Sequence, residues 1–198
     1  MADSNITKRA LSAAFKELLQ DESFEKISVA DICEKCDMNR KSFYYHFKDK
    51  YDLANWIFDT EFIELTQSHI PDIANISFED RWNGIVVVCN YFYENRNFYR
   101  KILKVAGQNS FSEHFRDFMH PILQNRIESI IGKNDIPGMV YDFIVDGIEC
   151  AFERWLLDKQ CITAEEFVCN LKMLLQLLIA GLENRIAADP KWLDEIRK

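Results

Sequence analysis

Glycine and proline are scarce in this chain, six and four among 198 residues. With so few turn-formers and breakers, and with apolar residues recurring every three or four positions, the sequence reads as all-α and offers no strand pattern. Long hydrophobic runs are missing too. The longest, Met173 to Leu182, is interrupted by Gln176 and falls far short of the roughly 20 apolar residues a membrane span needs. Met1 to Arg9 carry no apolar core behind their charges, so the expectation is a cytosolic chain with no membrane partner. Positive charge is not in excess: 24 Lys and Arg stand against 32 Asp and Glu, a formal net of -8, which argues against non-specific coating of nucleic acid. Histidine is rare, and His69, His114 and His120 have no nucleophile or carboxylate partner at a recognisable spacing. They read as surface or helix-end residues, and no enzyme is expected. Of six cysteines only Cys33 and Cys36 have a suggestive spacing, and no second Cys or His pair completes a zinc site. The pair is assigned to helix packing, with no metal and no cofactor.

What is abundant is apolar and aromatic surface, 48% and 13% of residues, enough for a sizeable core. A first helix is expected over about Asn5 to Gln20, capped by Ser4 or Asn5, with Ile6, Ala10, Ala13, Ala14, Phe15, Leu18 and Leu19 on its apolar face. Ser28-Val-Ala-Asp31 forms a capping box for a second helix ending near Cys36. Asp37 stands where a left-handed residue is wanted, Asn39 caps a third helix over Arg40 to Phe47, and Asp49 with Asp52 caps a fourth reaching about Gln67. Pro71 marks the next break. Ser77 caps a helix through Glu94 whose stretch Ile85 to Tyr93 is apolar nearly all round, a pattern for the middle of a bundle. Shorter and longer helices follow over Asn95 to Val105, Phe111 to Ile131 with Gly132 as a stop, and Pro137 to about Asp158. Thr163-Ala-Glu-Glu166 is a capping box for a last helix to about Ala188, and a tail from Lys191 to Lys198 is expected to dock through Trp192 and Leu193.

The second helix, its turn and the third have the dimensions of a helix-turn-helix, whose second helix enters a major groove of DNA. Charge supports this locally: from Met38 to Lys50 four cations face one anion, a net of +3 in an acidic protein. Arg40 and Lys41 have the reach for guanine edges or phosphates, and Asn39 and Ser42 can donate to phosphate oxygens. Tyr44, Tyr45 and His46 suit phosphates or thymine methyl groups. Phe43 and Phe47, four apart, anchor the helix to its own domain. Lys50, unfavourable for the dipole of the helix it begins, is expected to face an external phosphate.

The stretch Phe24 to Leu53, and above all Ser42-Phe-Tyr-Tyr-His-Phe-Lys-Asp-Lys50, resembles the N-terminal domain of the TetR family of transcriptional regulators. The resemblance implies base reading by Arg40, Lys41 and Tyr44 and phosphate contacts by Ser28, Ser42, Tyr45, His46 and Lys50. Asp37 departs from the family's usual Gly, and Phe43 from its commoner Leu. An all-α homodimer is implied, with a three-helix DNA-binding domain at 1–53 and a helical effector-binding and dimerisation bundle at 54–198. The implied partner is a palindromic double-stranded operator. Tyr91 to Arg100, Gln108 to Phe111 and Phe152 to Leu156 are similar to a subgroup that includes regulators of dihydroxyacetone-kinase operons. Some of its members activate through a protein co-regulator, so a small-molecule effector and a partner protein both stay open, as does the sign of regulation.

Among the C-terminal aromatics, Trp82, Phe115, Phe118 and Phe143 are candidates to line an effector pocket, with Asn90 and Tyr91 as its polar contacts, because ligand sites in bundles lie between helices. Dimerisation is assigned to the last two long helices. Their stripes are Phe143, Ile144, Ile148, Phe152, Trp155 and Leu156 on one, and Phe167, Leu171, Leu174, Leu175, Leu178 and Leu182 on the other, with Ala180 and Gly181 permitting close approach. A two-fold dimer would set the recognition helices about 34 Å apart.

Overall fold

The computed structural model describes residues 2–69, 78–105, 111–131 and 138–189. Among them the chain is helical without a strand: α1 (Ala2–Asp21), α2 (Val29–Lys35), α3 (Arg40–His46), α4 (Lys50–His69), α5 (Phe78–Glu94), α6 (Arg96–Leu103), α7 (Phe111–Ile131), α8 (Gly138–Leu157) and α9 (Ala164–Ala188). Expectations about Pro71, Ser77, Gln108 to Ser110, Gly132, Pro137 and the tail from Lys191 fall outside the described residues.

Local chemistry accounts for most of the boundaries. Ser28 accepts the N–H of Asp31 while the Asp31 carboxylate accepts the Ser28 N–H at 2.7 Å, and Thr163 and Glu166 form the same reciprocal pair at the start of α9. Asn39 Oδ1 accepts the Ser42 N–H at 2.9 Å, and Asp49 Oδ1 accepts those of Tyr51 and Asp52, both at 2.8 Å. Asp52 in turn accepts the Lys48 N–H at 2.9 Å. Asp37 lies at φ 53°, the left-handed turn between α2 and α3, where an acidic side chain carries a steric cost that Gly avoids. One start is misplaced by sequence reading: α1 begins at Ala2, so Ser4 and Asn5 lie inside the helix rather than capping it.

The chain divides into two compact units, Met1–Asp117 and Phe118–Lys198, the division falling within α7. In the first, α1 lies against α2, α3, α4 and α6. Leu11, Phe15, Phe24, Ile27, Ile32, Phe43, Leu53 and Ile57 are fully buried, each such side chain contributing roughly 1.5–3 kcal/mol. Phe15 and Phe24 meet edge to face at 5.8 Å, and Phe43 of α3 and Phe47 just past its end pack at 5.8 Å and anchor the helix inward. Ile6 and Ala13, read as core, project outward, Ile6 being 65% exposed. On α5 Trp82, Cys89 and Phe92 are buried, but Ile85 to Val88 are only half-buried, so the helix is amphipathic and not the enclosed centre of a bundle.

In the second unit, α8 and α9 pack through Phe152, Trp155 and Phe167, the last two stacked at 4.4 Å, and Trp155 Nε1 donates to the Ile162 carbonyl at 2.8 Å. Ile148, Phe152, Trp155, Leu156 and Leu175, assigned above to the dimer stripes, are therefore core of the subunit itself. Phe143, Leu174 and Leu178 of those stripes stay open to solvent, and with Met139 on α8 and Met173 and Leu177 on α9 they form an exposed apolar face, Met139 and Phe143 being 81% and 77% exposed. Around Gly147 and Gly181 a β-carbon would meet nothing within 4 Å. No described helix is long and apolar enough to cross a membrane.

Candidate nucleic-acid interface

Because Phe43 and Phe47 hold one side of α3 in the core, the helical period turns Arg40, Lys41, Tyr44 and Tyr45 outward together. Tyr44 is 58% and Tyr45 83% exposed, an unusual amount of aromatic surface to leave in water. Arg40 and Lys41 are exposed and form no hydrogen bond or ion pair with the described residues. Two cations and two tyrosine hydroxyls thus project from one short helix, which α1, α2 and the domain core hold rigidly from behind.

The other five nucleic-acid candidates divide. Ser28, Asn39 and Ser42 sit at the N-termini of α2 and α3 and are engaged in the caps: Ser28 Oγ donates to Asp31 at 2.7 Å, and Ser42 Oγ to Asn39 at 3.3 Å. Their hydrogen bonds set where the helices begin and so where Arg40 points. The Ser28 backbone N–H, and then its hydroxyl, hold the Asp31 carboxyl below its usual range. His46 is half-buried between the rings of Tyr45 and Phe47.

Lys50 does not face outward. Its ammonium donates to the carbonyls of Phe24 at 2.7 Å, Glu25 at 3.2 Å and Ile27 at 2.7 Å, and it lies 4.6 Å from the centre of the Phe24 ring. All three donors are used, and burial pushes the amine below its ordinary value. Where a phosphate contact was expected, the ammonium forms a strut tying the start of α4 to the loop between α1 and α2. Lys101 repeats the device from α6, donating to the carbonyls of Leu19, Gln20 and Glu22, where the end of α1 leaves acceptors without helical partners. Lys50→Met is therefore expected to lower the stability of the N-terminal helices by roughly 1–2 kcal/mol, seen as a lower urea midpoint. The salt slope of DNA binding should stay unchanged, whereas loss of a phosphate contact would reduce it by about one per subunit.

Of the effector candidates, Trp82 and Phe115 are buried, and Phe115 packs on Phe58, Phe92 and Phe111 at 5.6–6.0 Å. Asn90 is half-buried. Tyr91 donates to Glu61 and shares a 2.7 Å hydrogen bond with the buried Tyr99, burial raising both phenols far above their ordinary range. Glu61 also binds Lys16, so one polar chain links α1, α4, α5 and α6. Phe118 belongs to the second unit and Phe143 is exposed, so Phe143 lines no buried space: it lies on the outer side of α8, where periodicity alone had not separated outer from inner. Sequence reading missed Asp59, Glu61 and His114. His114, half-buried near the start of α7, meets Asp59 at 2.7 Å beside the Phe58 ring, a contact that raises its pKa against the effect of burial. The one signal was the run of acidic side chains along α4, at Asp52, Asp59, Glu61 and Glu64.

Known proteins match this arrangement. The model of bacterial regulatory proteins of the tetR family matches residues 8–56, and that of a transcriptional regulator C-terminal region matches 80–177. The HTH-type dhaKLM operon transcriptional activator DhaS of Lactococcus lactis subsp. lactis (strain IL1403) is 34% identical over 115 residues, which span 58% of this chain and only 57% of that relative. Among solved structures, a TetR transcriptional regulator from Streptococcus agalactiae 2603V superposes with a TM-score of 0.66 at 24% identity, covering 89% of this chain and 95% of that one. The dihydroxyacetone kinase operon activator DhaS gives 0.60 at 24% identity over 88% and 97%. NalD of Pseudomonas aeruginosa, secondary repressor of the MexAB-OprM multidrug efflux pump, gives 0.62 at 15% identity over 91% and 98%. At these identities the structural likenesses speak for the fold. Together with the sequence matches and the outward-facing α3, they place the chain in the TetR family of transcriptional regulators, a DNA-binding regulator similar to DhaS and not an enzyme.

Proposed function

We propose that this regulator binds a palindromic operator as a homodimer in the cytoplasm, each subunit laying α3 in a major groove. The observation that carries this reading is the outward face of α3, where Arg40, Lys41, Tyr44 and Tyr45 project from a rigidly backed helix in an acidic protein. Arg40 and Lys41 supply base-edge and phosphate donors, Tyr44 and Tyr45 supply hydroxyls for phosphates, and the caps at Ser28, Asn39 and Ser42 fix the register. Residues 1–53 act as the reading head and 54–198 as the sensing and dimerising part. The exposed face Met139, Phe143, Met173, Leu174, Leu177 and Leu178 suits a two-fold four-helix contact, since monomers rarely leave such a stripe in water. An effector held among the aromatics of α4 to α7 would engage Tyr91 and shift the balance between two orientations of the heads, by as much as its affinities for them differ. The activator named in the curated relative favours a second reading, in which residues 54–198 recruit a partner protein and the regulator activates.

Selection of bound sequences from random DNA tests the central claim. A palindrome whose half-sites are centred about one helical turn apart is expected. An asymmetric motif, or no enrichment, would sink it.

A further inference from the structure

Away from the DNA-facing surface and the aromatic cluster, three side chains of metal-ligating type converge in the second unit. His120 comes from α7, and Asp146 and Glu149 from α8, with one ligand atom of each lying within 4.8 Å of the others. Asp146 and Glu149 are three residues apart, so one helical face carries both carboxylates towards the imidazole. The Glu149 side chain is only 5% exposed, and its Oε1 lies 3.6 Å from His120 Nδ1, beyond a hydrogen bond. Buried carboxylates stand beside positive charge or coordinate a metal.

We propose that His120, Asp146 and Glu149 form a site for a first-row divalent transition-metal ion, with zinc held more tightly than manganese. The donor chemistry selects the class. Magnesium and calcium prefer all-oxygen shells, whereas an imidazole with two carboxylates suits zinc, manganese or ferrous iron, and the absence of thiolate disfavours cuprous ion. Bond lengths of about 2.0–2.2 Å bring ligand atoms to about 3–3.5 Å of one another, a contraction that carboxylate rotation supplies. Asp146 is exposed and gives the ion a path in, and three protein ligands leave positions for water or a small anion. Binding would tie α7 to α8 within the unit, as metal sites in helical bundles do.

The full chain, stripped with a chelator, is titrated calorimetrically with Zn2+ and separately with Mn2+, which thiolates of the six cysteines bind poorly. One ion per subunit is expected, with a melting temperature raised by about 5 °C or more at roughly a hundredfold excess over Kd. Asp146→Asn, an exposed change that leaves the fold intact, should weaken both metals about tenfold or more, and His120→Ala should abolish manganese binding. Two results overturn the site. Neither metal binds or shifts melting, leaving a plain His120–Glu149 ion pair; or both variants bind as well as the parent, which locates the ion elsewhere. DNA binding, measured alongside, stands or falls separately.

Discussion

Arg40→Ala will weaken binding to the selected operator by roughly 2–6 kcal/mol, about 30-fold at the low end, and will erase preference at one base pair of each half-site. The size follows from three observations. Arg40 is exposed at the start of α3 and forms no bond to its own domain, so its removal costs the free protein nothing. A bidentate arginine contact to guanine is worth about 1–3 kcal/mol of discrimination, and a palindrome meets the residue twice. Asp31, whose carboxyl feels Arg40 only after its bonds to Ser28, is exposed, so no buried charge is orphaned there. Fluorescence anisotropy at fixed salt, on the operator and on versions altered one base pair at a time, gives the measurement. Unchanged affinity with discrimination intact would remove α3 from the role of reading helix.

Leu177→Glu will leave the subunit folded and, at the proposed interface, split the dimer. Leu177 is 65% exposed on α9, so a charge there stays hydrated in the monomer. Across a two-fold axis the same substitution places two glutamates in an apolar contact, and both must lose water or repel. Light scattering should report a monomer at micromolar concentration with an unaltered far-ultraviolet spectrum. Operator affinity should fall by at least about a hundredfold, because a lone head forfeits the effective concentration that the second half-site provides. A dimer that survives Leu177→Glu and its neighbour Leu174→Glu would move the interface to another face.

The helix-turn-helix was legible in the sequence because its determinants are local. The boxes at Ser28 and Thr163, the Asn39 cap and the left-handed Asp37 are each settled within a few residues, and the spacing of Phe43 and Phe47 tells which side of α3 faces in. The inward turn of Lys50 was not legible for the complementary reason. Its partners are carbonyls 23 to 26 residues away, and backbone acceptors carry no sequence signature. His114 and Asp59, 55 residues apart, were hidden in the same way.

By itself the sequence determined an all-helical chain, the position and caps of the helix-turn-helix, and a third helix carrying Arg40 and Lys41 over an aromatic anchor. These depend on neighbours within one or two helical turns. Only tertiary packing decided which lysine points to solvent and which braces a loop, and which of two apolar stripes on α8 fills the subunit. It also decided that Glu61 joins Tyr91 and Lys16, and that His120 meets Asp146 and Glu149. Helical periodicity marks a face as apolar or charged, but what that face meets is set by chain segments that come together only when the whole unit folds.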